Sequence, residues 1–292
     1  MNVATAIPER NATPTEAPFL EMNDIEKSFP GVKALQGVTL SVRRGEVHGL
    51  VGENGAGKST LMKILAGAYR ANAGTLILNG EEISNPNPAL MIERGIAVIY
   101  QEFAQAEHLS VAENIFMNRL PRNRFGRVDW TAARREAVRA MDRLGFSIDP
   151  RRLVSTLSVA QRQMVEIARA ISRNAQLIVL DEPSAVLGDV ELEKLFKTIR
   201  SLQAEGVAFF YISHRIKEVF ELCQQASVLS DGKLVSTRPI GDWTTDSLIQ
   251  SMVGRPIADY FPQRNANPGP EILGVEGLTR GKVLKNISLT LR

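Results

Sequence analysis

Short, unbroken apolar runs recur along the chain: VHGLVG at 47–52, IAVIY at 96–100, LIVLDE at 177–182 and VAFFYIS at 207–213. Between them lie segments whose apolar positions return every three to four residues. Runs of this length predict buried central strands, and their alternation with helical spacing predicts a mostly parallel sheet flanked by helices. The opening differs. FLEMNDIEKSF (19–29) and GVTLSV (37–42), followed by the turn Arg43-Arg44-Gly45, predict antiparallel strands ahead of the main sheet. KSTLMKILAG (58–67) predicts a helix stopped by Gly67, and ASVLSDG with KLVSTR (226–238) predicts a closing hairpin around Asp231-Gly232.

From Gln101 to Arg173 the strand signal almost vanishes. WTAARREAVRAMDRLG sets Ala133, Ala137, Met141 and Leu144 on one helical face, and QMVEIARAI does the same with Met164, Ile167, Ala168 and Ile171. A helical subdomain of about 102–173 is expected inside an α/β domain of 18–257, after a flexible tail at 1–17. The polar, proline-bearing stretch 258–271 reads as a linker. ILGVEGLTRGKVLKNISLTLR (272–292) echoes FLEMNDIEKSFPGVKALQGVTLSVRR (19–44), so a second copy of the domain is expected to begin there and be cut short.

Bulk composition narrows the class. An apolar content of 44% supports a real core, and the net charge of +3 is spread without a dense basic run, so no nucleic-acid partner is expected. Cys223 is the single cysteine, which excludes an internal disulfide and suits a reducing compartment. No apolar stretch approaches the roughly 18 residues that span a bilayer. If the protein works at a membrane, another chain provides the span.

The candidate chemistry starts at GENGAGKST, directly after a predicted strand. Gly52, Gly55 and Gly57 free the backbone so that successive N–H groups can face one concavity, and the helix beginning near Lys58 adds its positive end. The loop Gly52, Glu53, Asn54, Gly55, Ala56, Gly57, Lys58, Ser59, Thr60 is therefore expected to hold ATP. Lys58 would reach the β- and γ-phosphates and Ser59 would ligate magnesium. LIVLDE delivers Asp181 at a strand's carboxyl end, where it can hold the magnesium shell, and Glu182 next to it can accept a proton from the attacking water. An acidic pair after a strand is also a common helix cap; the phosphate loop tips the reading to catalysis.

Other segments carry a family resemblance. LSVAQRQMVEIARA (157–170) resembles the signature segment of ABC transporter ATPases, with Ser158, Val159, Ala160 and Gln161 at its start. YISHR places His214 where that family has its switch histidine, IAVIYQE places Gln101 at its Q-loop glutamine, and KSFPGVKAL places Phe29 at the aromatic that stacks on adenine. Without the family, Phe29 reads first as core packing and His214 first as a satisfied histidine at a strand end; His48 and His108 match no motif and read as structural. The resemblance runs from about 19 to 258. It implies a P-loop NTPase (RecA-like) core with an antiparallel β subdomain and a helical subdomain. It also implies that Gln101 and His214 sense water, magnesium and γ-phosphate.

VGENGAGKSTLMKILAG, YQE, QMVEIARA, YISHRIKEVFELC and SLIQSMVGR are similar to the first cassette of bacterial monosaccharide importers of the ribose, galactose and xylose class. That resemblance implies membrane permease subunits, a periplasmic-type sugar-binding protein acting through them, a second cassette, and a place on the cytoplasmic face of the membrane. Segment 103–117, with Phe103 and Leu109, is expected to dock a permease helix, ordinary helix packing being the alternative. Two positions depart from the family. Val159 and Ala160 replace the usual glycines of the signature, and Gly188 stands where an aspartate is common. A soluble translation or ribosome-associated ATPase, and a chain that binds ATP without turnover, are the rival readings.

Overall fold

The computed structural model describes residues 17–101, 104–185, 187–253 and 269–292. They divide into two units, Met1–Arg255 and Pro256–Arg292. In the first unit Leu20–Phe29 (β1) pairs antiparallel with Val32–Val42 (β2). Val47–Val51 (β3) follows, buried along its whole length, and leads through the glycine-rich loop into Lys58–Leu65 (α1). Gly67, at φ 70°, ends the turn after α1 as the sequence predicts.

Ala73–Leu78 (β4) and Glu81–Glu82 (β5) then extend the outer sheet to the order β2-β1-β4-β5. Sequence patterning does not reveal β4. Its Gly74 (φ 94°) sits at a register shift against β1, where a Cβ would lie 2.5 Å from the carbonyl oxygens of Asn23 and Asp24. A strand glycine at a bulge reads as a turn in the sequence. Pro88–Glu93 (α2), capped by the Asn87 side chain, precedes Ile96–Ile99 (β6).

The stretch expected to be a helical subdomain carries helices. They are Val111–Ile115 (α3), Trp130–Arg143 (α4) and Val159–Ile171 (α5). Ala133, Ala137, Met141 and Leu144 are all buried, as are Met164, Ile167, Ala168 and Ile171. The spacing therefore identified the core faces of both long helices.

The chain returns to the main sheet with Leu177–Asp181 (β7), Asp189–Ala204 (α6), Ala208–Ile212 (β8) and Ile216–Leu222 (α7). Gln225–Ser230 (β9), Lys233–Pro239 (β10) and Thr245–Val253 (α8) complete the unit. The order is β10-β9-β3-β8-β7-β6, parallel except for the β9–β10 hairpin. Each central strand feeds two cores in alternation. Leu177 and Val179 of β7, with Phe210 and Ile212 of β8, pack toward α1 and the outer sheet. Ile178, Leu180, Phe209 and Tyr211 pack toward α5 and α6. A strand covered on both faces has no polar side to show, which is why these runs are unbroken.

His48 is buried between Glu46 and Ser227, each 2.7 Å from a ring nitrogen, and Cys223 is a buried free thiol. The burial and pairing of His48 fit the structural reading of that residue. In the second unit Leu273–Arg280 (β11) pairs antiparallel with Leu284–Leu291 (β12). The tail expected at 1–17 and the linker expected at 258–271 lie outside the described residues, apart from residue 17 and residues 269–271.

Candidate active site

Every candidate catalytic group leaves the carboxyl end of a parallel strand. The glycine-rich loop follows β3, Gln101 follows β6, Asp181 ends β7 and His214 follows β8. This edge is where open α/β sheets bind ligands. The loop residues Asn54, Gly55, Gly57, Lys58, Ser59 and Thr60 line one cleft of about 710 Å³ together with Gln101, Asp181 and Glu182.

The loop is shaped by close backbone approach. A Cβ on Gly52 (φ 152°) would lie 2.1 Å from the Leu229 carbonyl oxygen, and one on Gly57 (φ 104°) 2.6 Å from that of Ala34. The Asp231-Gly232 turn fastens the loop from the far side: Gly232 N–H donates to the Ala56 carbonyl at 3.0 Å, and Gln36 N–H donates to the Gly232 carbonyl at 2.8 Å. The sequence reveals Asp231-Gly232 only as a hairpin turn. Its contact with a loop some 175 residues earlier in the chain leaves no local signal.

Lys58 Nζ donates to the carbonyls of Gly52 (2.7 Å) and Glu53 (2.9 Å), so the ammonium is held inside the loop's own concavity. Burial lowers its pKa below the ordinary lysine value, and the Glu182 and Asp181 carboxylates offset part of that effect. Asp181 moves the other way: burial and the neighbouring Glu182 raise its pKa, with Lys58 and Lys63 opposing. Glu182 adopts φ 51°, and its Oε2 shares a 2.7 Å hydrogen bond with His214 Nδ1. A non-glycine residue at positive φ is held there by its surroundings. Here the Glu182 N–H donates to the Ile212 carbonyl at 2.9 Å, tying the loop after β7 to the end of β8.

Phe29 sits at the tip of the β1–β2 hairpin, 37% exposed, with its ring edge-on to Tyr69 at 5.5 Å and Lys27 Nζ above it at 5.3 Å. Gly31 and Val32, just beyond it, line the phosphate cleft. Exposure at the cleft rim fits a stacking platform better than a core residue. Tyr69 was not singled out from the sequence.

These features are those of a nucleotide-binding cassette, and residues 35–185, just over half the chain, match the ABC transporter family. The chain belongs to the ABC transporter family. It is 47% identical over 281 residues to the ribose import ATP-binding protein RbsA of Rhodococcus jostii (strain RHA1), covering 96% of this chain and 56% of that protein. It is also 47% identical over 275 residues to the putative ribose/galactose/methyl galactoside import ATP-binding protein 1 of Agrobacterium fabrum (strain C58), covering 94% and 54%. The chain thus spans about half the length of the curated relatives it matches. A nucleotide-free ATP-binding cassette from an ABC transporter superposes with a TM-score of 0.71 at 26% identity, covering 82% of this chain and 97% of that one. The ADP conformation of MJ1267, an ATP-binding cassette of an ABC transporter, gives 0.71 at 25%, covering 85% and 100%.

The segment that resembles the ABC signature lies apart from the glycine-rich loop. Ser158 caps α5: its side chain accepts from Gln161 N–H, and the Gln161 side chain accepts from Ser158 N–H at 3.1 Å. Ser158, Ala160 and Gln161 border a second cleft, of about 720 Å³, shared with residues of α6. Val159 is exposed, whereas Ala160 packs partly against the helical core.

Between β6 and α5 lies a smaller, mostly apolar groove of about 180 Å³, bordered by Ile96–Tyr100, Ala104, Glu166, Arg169 and Arg173. Among the described residues, the buried atoms Glu166 Oε1, Arg169 Nη2 and Arg173 Nε there have no hydrogen-bond partner, nor has Oε1 of nearby Gln105. Burial raises the Glu166 pKa, with Arg169 opposing. In the segment expected to dock a permease, Val111, Ala112, Ile115 and Phe116 are buried in the helical core, and Leu109 is half-buried. From 111 onward that segment is ordinary helix packing, and Phe103 lies outside the described residues.

Proposed function

We propose that the chain is the ATP-binding and ATP-hydrolysing part of an importer for a monosaccharide of the ribose, galactose or xylose type. The carrying observation is the single cleft that holds Lys58, Ser59, Asp181 and Glu182, with Glu182 hydrogen-bonded to His214. In this reading the amides of Gly52–Thr60 and the Lys58 ammonium bind the phosphates, Phe29 stacks on the adenine, and Glu182 takes the proton of the attacking water while His214 orients it.

The donor set fits magnesium. Ser59, Gln101 and Asp181 bring oxygen atoms to the same cleft, and this ion takes one or two carboxylates and completes its shell with phosphate and water. When bound, it neutralises charge on the phosphate oxygens.

Relatives named as ribose import ATP-binding proteins support the sugar reading. Among the described residues no helix is long and apolar enough to cross a membrane, so permease subunits would provide the path, with a sugar-binding protein delivering to them. The domain would then work on the cytoplasmic face of the membrane. The β6–α5 groove suits a permease segment, because its mostly apolar lining matches the apolar face of an amphipathic helix. The proposed counterpart for the phosphate cleft is the signature of a second cassette.

Glu182→Gln preserves shape and removes the proton acceptor. Steady-state phosphate release should fall by about 10²–10⁴-fold while Mg-ATP binding persists. Parent-level turnover in this variant would refute the assignment of the base.

A further inference from the structure

Behind the Glu182–His214 pair lies a carboxylate that the proposed chemistry does not use. Glu218, on α7, is only 5% exposed. Its Oε2 accepts hydrogen bonds from Ser184 Oγ (2.7 Å), Tyr211 OH (2.8 Å) and Ser213 Oγ (3.0 Å). Its Oε1 accepts from Arg215 Nη1 at 3.4 Å. The three hydroxyls come from three segments. Ser184 lies two residues beyond Glu182 on the loop after β7, Tyr211 belongs to β8, and Ser213 directly precedes His214.

Ser184, Tyr211 and Ser213 are themselves buried. Burial and the nearby Glu218 charge push the Tyr211 phenol well above its ordinary range, so it stays protonated and donates. An ionised carboxylate accepts only, and charge-assisted hydrogen bonds to it are stronger than neutral ones. A buried carboxylate is costly unless so partnered, and anchoring a short helix to the sheet does not require a charge. Three donors drawn onto one oxygen do achieve something else. They set the spacing between the loop that carries Glu182 and the loop that carries His214.

We infer that Glu218 is a positioning residue for hydrolysis: its carboxylate clamps the Ser184 loop to the Ser213 loop and so holds Glu182 against His214. The inference rests on the reading of Glu182 as the base. The clamp itself, however, is measurable without nucleotide.

The test uses the full chain with Glu218→Gln, which keeps the volume and removes the charge, and Tyr211→Phe with Ser184→Ala as a second variant that leaves Glu218 in place. Amide hydrogen exchange is followed at Glu182, bonded to the Ile212 carbonyl, and at Arg215, bonded to Ser213 Oγ. Both should exchange at least about tenfold faster, while amides of β1 and β4 keep the parent rate. Mg-ATP affinity should stay within about twofold and KM should hold, with kcat falling at least about tenfold. Adding Ser184→Ala to Glu218→Gln should cost little more, since the clamp is already open. Unchanged exchange at Glu182 and Arg215 in a folded variant would overturn the proposal. So would acceleration spread evenly over both sheets, which would reduce Glu218 to a support for α7. If loop exchange responds while Glu182→Gln hydrolyses ATP at the parent rate, the clamp stands and the assignment of Glu182 as base falls.

Discussion

Gly52 and Gly55 are three residues apart, both at positive φ, yet they do different things. A side chain at Gly52 would collide with the Leu229 backbone, whereas Gly55 faces open space. Gly55→Ala should therefore cost only the left-handed conformation, about 1 kcal/mol. Gly52→Ala should cost at least twice that and abolish Mg-ATP binding, because the loop must leave the β9–β10 turn. Urea denaturation and nucleotide titration of the two variants check this. Asp181 gives a pH prediction. Burial and Glu182 raise its pKa, so the folded state holds the proton more tightly than the unfolded state. The stability from this group is complete below the unfolded carboxylate value and is lost as pH rises through the folded one. Asp181→Asn should raise the Tm of the nucleotide-free chain at neutral pH by a few degrees, about 2–4 °C per kcal/mol at this size. The gain should shrink toward acid pH, and hydrolysis should be lost. Lys58, Ser59, Asp181 and Glu182 were legible in the sequence because each sits inside a local pattern. Tyr69 and Glu218 were not, since their partners lie in other segments.

Among the elements, α5 shows how local sequence and assembly interact. Its capping box at Ser158 and Gln161 gives it a firm start, with the first residue, Val159, facing outward. Glycine at that position would let a partner's phosphates approach the helix N-terminus. Val159 and Ala160 both stand where the family has glycine, so a side chain at either would crowd this approach. The packing of Ala160 toward the core places the obstruction at Val159. Val159→Gly should thus raise phosphate release more than Ala160→Gly does, at a stability cost of up to about 1 kcal/mol. Parallel kinetics and thermal melts on the two single variants decide it; equal effects would count against the assignment to Val159. α6, by contrast, starts at Gly188 without a side-chain cap, so the departure from the family's aspartate leaves that helix end bare.

For the whole molecule, the question is what completes the phosphate cleft. Its loop and carboxylates converge, while this chain's signature borders a different cleft. In the proposed reading, a separate cassette presenting its signature would close the site. The β11–β12 hairpin is antiparallel like β1–β2, and two strands alone bury little apolar surface; Ile272, Val283 and Leu289 are exposed. The chain alone should bind Mg-ATP and hydrolyse it slowly, with a rate that rises with protein concentration, and a second cassette added in trans should raise it. Equal, fast, concentration-independent rates with and without that addition would show that the chain completes its own site.

Alone, the sequence determined the layered α/β order, the core faces of the two long helices between β6 and β7, and the contiguous glycine-rich motif. These follow from period, apolar run length and contiguous motifs, all properties of neighbouring residues. Only the tertiary structure decided that Gly74 is a strand bulge, that Asp231-Gly232 braces the glycine-rich loop, that Val159 is more exposed than Ala160, and that Glu218 joins the loops after β7 and β8. Each of these depends on atoms from segments far apart in the chain meeting within a few ångströms, and no one-dimensional pattern carries that distance.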